Sequence, residues 1–167
     1  MSLADRPVCL LLGSNIEPER YLPQAVQALA GSFAIERISA AVQTPSFGAD
    51  GPPYLNAALV LRCALTPEEL KTGVLRPLEA RLGRVRSADK YAPRTIDLDV
   101  IVWDGQVVDE HLWERVHVAA PVLAVWPDGL LSPQGERLAA VVERLSRSQP
   151  WQVYPALDLT WPIPARR

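Results

Sequence analysis

Cysteine is scarce in this chain: only Cys9 and Cys63 occur in 167 residues. That excludes a disulfide framework or a cysteine-built zinc cluster. Each thiol lies in an apolar run, so both are expected as buried free thiols in a reducing compartment. Neither sign of charge is in excess, with 17 Lys+Arg against 19 Asp+Glu, which argues against a basic coat for nucleic acid. No run of 18 apolar residues exists, and the first residues lack the basic and apolar regions of a signal peptide. The expectation is a cytoplasmic protein without a membrane or nucleic-acid partner.

What is present is an ordinary globular balance, 49% hydrophobic and 22% charged, on a chain long enough to bury a core without staples. No repeat or linker interrupts it. Residues 1–167 read as one domain, with a core at about 8–148 and an extended proline-rich tail at 150–167 draped on the surface.

Val8 to Leu12 is a short apolar run ending at the turn Gly13-Ser14-Asn15, the mark of a buried strand entering a loop. Leu22, Ala25, Val26 and Leu29 then repeat at helical spacing. Residues 35–42 have strand character, and 44–53 form a long loop dense in turn formers. Tyr54 to Cys63 returns to strand. Thr66-Pro67-Glu68-Glu69 is a capping box that starts a helix with Leu70, Val74, Leu78 and Leu82 as its ridge and Gly83 as its stop. Pro77 inside that span predicts a kink.

The clearest strand is Ile96 to Trp103. Alternation puts Ile96, Leu98, Val100 and Val102 on one face and Asp97, Asp99, Ile101 and Trp103 on the other. Asp104-Gly105 predicts a tight hairpin into Val107-Val108, and Leu138, Val141, Val142 and Leu145 mark a last helix. This order of strands and helices predicts an α+β, ferredoxin-like sandwich, a mostly antiparallel sheet with helices packed on it.

Asp97 and Asp99, two residues apart on one strand face, stand about 6–7 Å apart along the chain, a spacing suited to hard cations bridged by phosphates. Just before them come Arg81, Arg84, Arg86, Lys90 and Arg94, against the single acid Asp89. Guanidinium forks fit phosphate oxygens. A solvated helix end also accounts for Arg81 and Arg84, and a wet face for the two acids. Residues 85–93 lack apolar periodicity and read as a mobile loop closing over substrate. No Walker-type or kinase-type glycine loop is present, so a nucleotide would be held by side chains and metal. An RNA-binding module using the basic cluster is a rival, but such modules need aromatics on central strands, and no string of that kind occurs.

Taken together, Leu12-Gly-Ser-Asn15, Thr44-Pro45 with Gly48, Tyr54-Leu-Asn-Ala-Ala58, Thr66-Pro-Glu-Glu-Leu70, Glu79 with Gly83-Arg-Val-Arg86, and Pro93-Arg-Thr-Ile-Asp-Leu-Asp99 resemble the 6-hydroxymethyl-7,8-dihydropterin pyrophosphokinases of folate biosynthesis. The resemblance runs from about residue 8 to 117. It implies transfer of pyrophosphate from the co-substrate ATP to the pterin hydroxyl, giving AMP, with two Mg²⁺ ions; a monomer is the separate expectation for its partners. By the same resemblance Asp97 and Asp99 are the metal ligands, and they count with Arg86 and Arg94 as the catalytic set. Gly13, Thr44, Pro45, Phe47, Tyr54 and Asn56 form the pterin slot, and Glu79, Arg84, Tyr91, Val100 and His117 line the ATP side.

The chain departs from the family pattern in several places: Val116-His117 stands for the usual Pro-His, and Leu112 falls where an arginine is often found. Tyr91-Ala92 stands where a loop tryptophan is common, and an apolar stretch from Val118 to Trp126 replaces an Arg-x-Phe segment. Arg115 is the candidate for the lost base, and Leu123 or Trp126 for the lost aromatic wall. A diverged relative that binds a nucleotide or pterin-like ligand without this transfer is the alternative reading.

Overall fold

The computed structural model describes residues 4–46 and 51–159. Strand β1 (Arg6–Ser14) leads into helix α1 (Pro18–Ser32), whose buried residues are the predicted Leu22, Ala25, Val26 and Leu29. Strands β2 (Ile35–Ile38) and β3 (Val42–Thr44) both pair antiparallel with the long β4 (Tyr54–Cys63). The capping box forms as expected: Glu69 N–H donates to Thr66 Oγ1 at 3.3 Å, and Thr66 N–H donates to the Glu69 carboxylate at 2.8 Å.

The helix that follows is not simply kinked at Pro77. It runs as α2 (Pro67–Leu70), a wide π turn at Lys71–Leu75, and α3 (Arg76–Arg81), with Arg76 N–H reaching Lys71 O. In a regular helix the Pro77 ring would collide with the carbonyl four residues back and leave it without a donor, and the helix widens in the turn just before it. Gly83, at φ 83°, stops the helix in the left-handed conformation that glycine adopts freely.

Strand β5 (Asp97–Trp103) and the short β6 (Gln106–Val107) form the predicted hairpin, with Asp104 and Gly105 at φ 51° and 80°. Two successive positive φ values make the mirror-image turn that matches strand twist. A short 3₁₀ turn (Glu110–Trp113), helices α4 (Val116–Val125) and α5 (Leu138–Ser146), and strand β7 (Gln152–Val153) complete the described chain.

The sheet runs β6-β5-β1-β4-β3-β7, with β2 also on β4, and every pair is antiparallel. Its central order β5-β1-β4-β3 is that of the expected ferredoxin-like α+β sandwich. One face of β1 and β4, with Leu10, Leu12, Leu59 and Leu61, packs on Leu22, Leu29, Leu70 and Leu75 from α1 and the broken helix. The other face, with Cys9, Leu11, Ala58 and Val60, packs on Val118, Val122, Val141 and Leu145 from α4 and α5. Both cysteines are free and buried, and burial pushes Cys9 up to about 12. Among the described residues no helix is long and apolar enough to cross a membrane.

Two expectations are corrected here, and one helix is added. The alternation along β5 breaks at a bulge: Cys9 pairs with Val102 but Leu10 with Val100, so Ile101 is the extra residue. Beyond it the faces exchange. Val102 joins the second core, while Trp103 packs against the first, with its Nε1–H on Leu65 O at 3.1 Å and the Arg6 guanidinium over its ring. Helix α4 is absent from the sequence reading because it is apolar on nearly every side, with seven of its ten residues buried. The tail is not merely draped. Its described part adds β7 to the sheet and buries Leu159 in the first core; residues 160–167 lie outside the described residues.

Candidate functional site

On the second face α4 and α5 leave part of the sheet uncovered, and there a cleft of about 420 Å³ opens. Its floor is the ends of β1 and β5. Gly13 pairs with Asp97 and Leu11 with Asp99, so the two carboxylates face the cleft beside the Gly13-Ser14-Asn15 turn. The turn is tied to the entry of β5 by three bonds. Asn15 Oδ1 accepts Arg94 N–H at 2.8 Å, and Arg94 O accepts the N–H groups of Asn15 and Ile16 at 3.2 and 3.3 Å.

The end of the cleft toward β3 and β4 is neutral. Thr44, Pro45, Tyr54 and Asn56 line it. Asn56 is 4% exposed, yet its Nδ2 is a buried donor without a hydrogen-bond partner. Such a group is costly unless a ligand acceptor completes it. A Cβ at Gly13 would stand 2.6 Å from Asn56 Oδ1. Glycine there makes room for the amide, rather than only letting the backbone approach a ring as the sequence suggests. Phe47 lies outside the described residues.

The other end is charged. Arg94 donates to Asp97 Oδ2 at 3.1 Å and also to Lys90 O, while its Nε is buried without a partner. Arg84 reaches Asp97 Oδ1 at 3.4 Å and Ile96 O at 3.0 Å. Asp97 is thus held between two guanidinium groups. Asp99 has a different setting: burial, then Asp97, Asp109 and Glu79, push it up to about 7, and only Lys71 opposes them. Burial, then Arg115 and His111, push His117 down to about 4, so its imidazole is neutral at physiological pH.

Of the predicted residues, the cleft brings together Gly13, Thr44, Pro45, Tyr54, Asn56, Tyr91, Arg94, Asp97, Asp99 and His117. Arg84 and Arg86 line an adjoining groove that shares Arg94 and Asp97. Glu79 does not line the cleft. It is buried under β5, where Oε1 accepts Leu98 N–H at 2.9 Å and Oε2 accepts Arg86 at 2.7 Å, and burial raises its pKa. Val100 is on the opposite face, packed against the first core, as the alternation of β5 requires. Leu123 and Trp126 pack against the second core, which uses their apolar surface away from the cleft.

Sequence reasoning passed over Leu11, Asp109, His111 and Val118, all of which line the cleft, named Lys90 only as part of the basic cluster, and offered Arg115, which lines it too, only as a replacement. Asp109 caps the 3₁₀ turn, accepting His111 N–H at 3.0 Å, and its Oδ1 stands 2.9 Å from His111 Nδ1. The Asp-x-His spacing after the hairpin was the signal available for that pair.

The donor set fits a hard divalent cation. Among the described residues no group of three or more His, Cys, Asp or Glu is arranged to hold a metal. Two carboxylates are what Mg²⁺ takes when waters and substrate phosphates supply its other positions, and two half-buried carboxylates facing one cleft gain from a cation.

A profile of the 7,8-dihydro-6-hydroxymethylpterin-pyrophosphokinase family matches residues 9–127. The chain is 37% identical over 149 residues to a 2-amino-4-hydroxy-6-hydroxymethyldihydropteridine pyrophosphokinase of Methylorubrum extorquens, covering 82% of this chain and 92% of that one. It is 30% identical over 159 residues to a protein of the same name from Synechocystis, covering 89% and 80%. A folate synthesis bifunctional protein of Arabidopsis thaliana is 32% identical over 127 residues, which is 70% of this chain and 26% of that protein.

Proposed function

We propose, from the premise that the chain belongs to the 7,8-dihydro-6-hydroxymethylpterin-pyrophosphokinase family, a division of labour within its cleft. The protein transfers pyrophosphate from ATP to hydroxymethyldihydropterin in folate synthesis. The observation that carries the reading is the junction of two unlike ends: an unpaired buried amide at Asn56 in a neutral slot, adjoining a carboxylate pair flanked by arginines.

The neutral end takes the pterin. Tyr54 supplies an apolar face, and Asn56 supplies a donor and an acceptor to the ring edge. The phosphate chain of ATP lies over Asp97 and Asp99, with Arg94, Arg84 and Arg86 neutralising the charge that moves during transfer. Glu79 holds Arg86 and the Leu98 amide, so it acts on the nucleotide side by positioning. Tyr91 and His117 line that side, His117 as a neutral hydrogen-bonding group. Asp97 and Asp99 would hold two Mg²⁺ ions, which supply charge neutralisation of the phosphates and activation of the attacking hydroxyl.

The chain is further read as a single-domain monomer in the cytoplasm, with no nucleic-acid or membrane partner. The free buried thiols and the balanced charge support that reading.

The test is to mix purified protein with Mg²⁺, ATP and 6-hydroxymethyl-7,8-dihydropterin and resolve AMP from ADP by chromatography. AMP formed only when pterin is present is the expected result, and chelation of the metal should stop it. Folded protein that binds both substrates and releases no AMP would favour the non-transferring relative, toward which the apolar α4 in place of Arg-x-Phe points.

A further inference from the structure

Thr44 and Pro45 are shared between two spaces. They face the cleft on one side; on the other they line a shallower groove of about 250 Å³ together with Gln43, Pro53, Trp151 and Gln152. What stands behind the acceptor wall is therefore the C-terminal segment.

β3, which carries that wall, is three residues long. Paired with β4 alone it would be an edge strand, with half its backbone groups open and little to keep it from fraying. β7 removes the edge. Val42 and Gln43 pair with Val153 and Gln152, Gln152 Nε2 donates to Gln43 Oε1 at 3.2 Å, and Tyr154 N–H donates to Ala41 O at 2.8 Å.

A two-residue strand is too short to hold its neighbour unaided, and β7 is anchored on both sides. Before it, Trp151 packs against the second core and its Nε1–H donates to Ser146 Oγ at 2.8 Å. After it, Tyr154, Leu157 and Leu159 pack on the first core, and the Tyr154 hydroxyl donates to Glu19 at 2.9 Å. The segment is a strap fastened in both cores and laid along the one strand that forms the slot wall. Among the described residues, no such strap lies along the charged end of the cleft, which is built on β5 and the residues before it.

We propose that β7, anchored by Trp151, is a positioning element of the acceptor slot. It sets the Thr44–Pro45 wall relative to Tyr54 and Asn56, and so governs affinity for the pterin without touching it. The inference rests on the assignment of the neutral end to the pterin, and its signature is a split between the two substrates.

The experiment uses the full chain and three variants. Trp151→Ala removes the anchor, Tyr154→Pro removes the N–H that bonds Ala41, and Tyr154→Phe removes only the hydroxyl. Each substrate is varied in turn. Loss of one or two strand bonds corresponds to about a five- to tenfold rise in pterin KM for the first two variants. The KM for ATP, and kcat at saturating pterin, should stay within about twofold, and Tyr154→Phe should follow wild type. An unchanged pterin KM in folded variants, or an equal rise in both KM values, overturns the proposal.

A second measurement guards against variants that do not fold. In the wild-type protein, pterin should slow hydrogen exchange at the amides of Gln152, Val153 and Tyr154 together with those of β3. Amides of β7 indifferent to pterin would count against it. Failure of the underlying reading is separate and visible in the wild type alone, as absence of pterin-dependent AMP.

Discussion

The neutral end of the cleft is made of paired strands, whereas the charged end sets two strand carboxylates, Asp97 and Asp99, among charges that reach in from segments between regular elements. Thr44, Tyr54 and Asn56 belong to paired strands, and their places are set by the ladder. Lys90, Arg94, Asp109 and Arg115 come from the stretches around β5, the hairpin and the start of α4. A shape to be recognised is built where backbone freedom is smallest. A charge that moves during the reaction is met by long side chains that can follow it.

The sharpest way to break this comparison is at the carboxylates. Asp97→Ala or Asp99→Ala should lower kcat by at least about 10²–10³-fold, the range for removing a group that stabilises moving charge. AMP release reports turnover and circular dichroism the fold; a folded variant with normal turnover would remove the phosphate role from this end. Next comes the acceptor end. Asn56→Ala should raise the pterin KM by about ten- to a hundredfold while leaving the KM for ATP in place. Gly13→Ala, whose Cβ meets the Asn56 oxygen at 2.6 Å, should shift the same constant in the same direction by less. Equal changes in both KM values would erase the distinction between the ends.

A smaller effect separates the two acids by pH. Asp99 is pushed up to about 7 by burial and by Asp97, Asp109 and Glu79. The folded protein therefore keeps a proton that the unfolded chain has released above about 4. The corresponding stability is fully present below about pH 4 and is lost as pH rises to about 7. Thermal melts in chelator should fall across that window, the slope should flatten in Asp99→Asn, and added Mg²⁺ should stabilise more at pH 8 than at pH 5. The least effect should come from outside the cleft: Gly105→Ala, at φ 80° in the hairpin, should cost about 1 kcal/mol of stability with unchanged kinetics. A kinetic change there would show that the hairpin feeds the site.

What could be read in the sequence was whatever a local rule enforces. The stripe of α1, the capping box at Thr66, the Asp104-Gly105 turn and the carboxylates two apart on β5 each depend on neighbours within a few residues, and each stands where expected. α4 was missed because a helix buried all round has no polar face to reveal its period. The bulge at Ile101 was missed because it depends on how β1 pairs, not on β5 itself. The same limit applies to the site. Asp109 and His111 were invisible as members because only the fold brings them into the cleft with Asp99. Val100 shows the reverse case, where simple alternation placed a residue better than the resemblance did.

The π turn at Lys71–Leu75 has a consequence for angular phase. A π turn carries one residue more than the α-helical turn it replaces, and each residue of an α-helix turns the next by about 100°. Everything after it, Glu79 included, is rotated by that amount relative to an unbroken helix. In this phase the Glu79 carboxylate accepts Leu98 N–H and the Arg86 guanidinium. Shortening the turn by Gly73 would leave the chain's composition almost untouched, yet swing that carboxylate off the strand it supports. The irregularity that accommodates Pro77 is thus also the vernier that aligns the helix with the strand that carries Asp97 and Asp99.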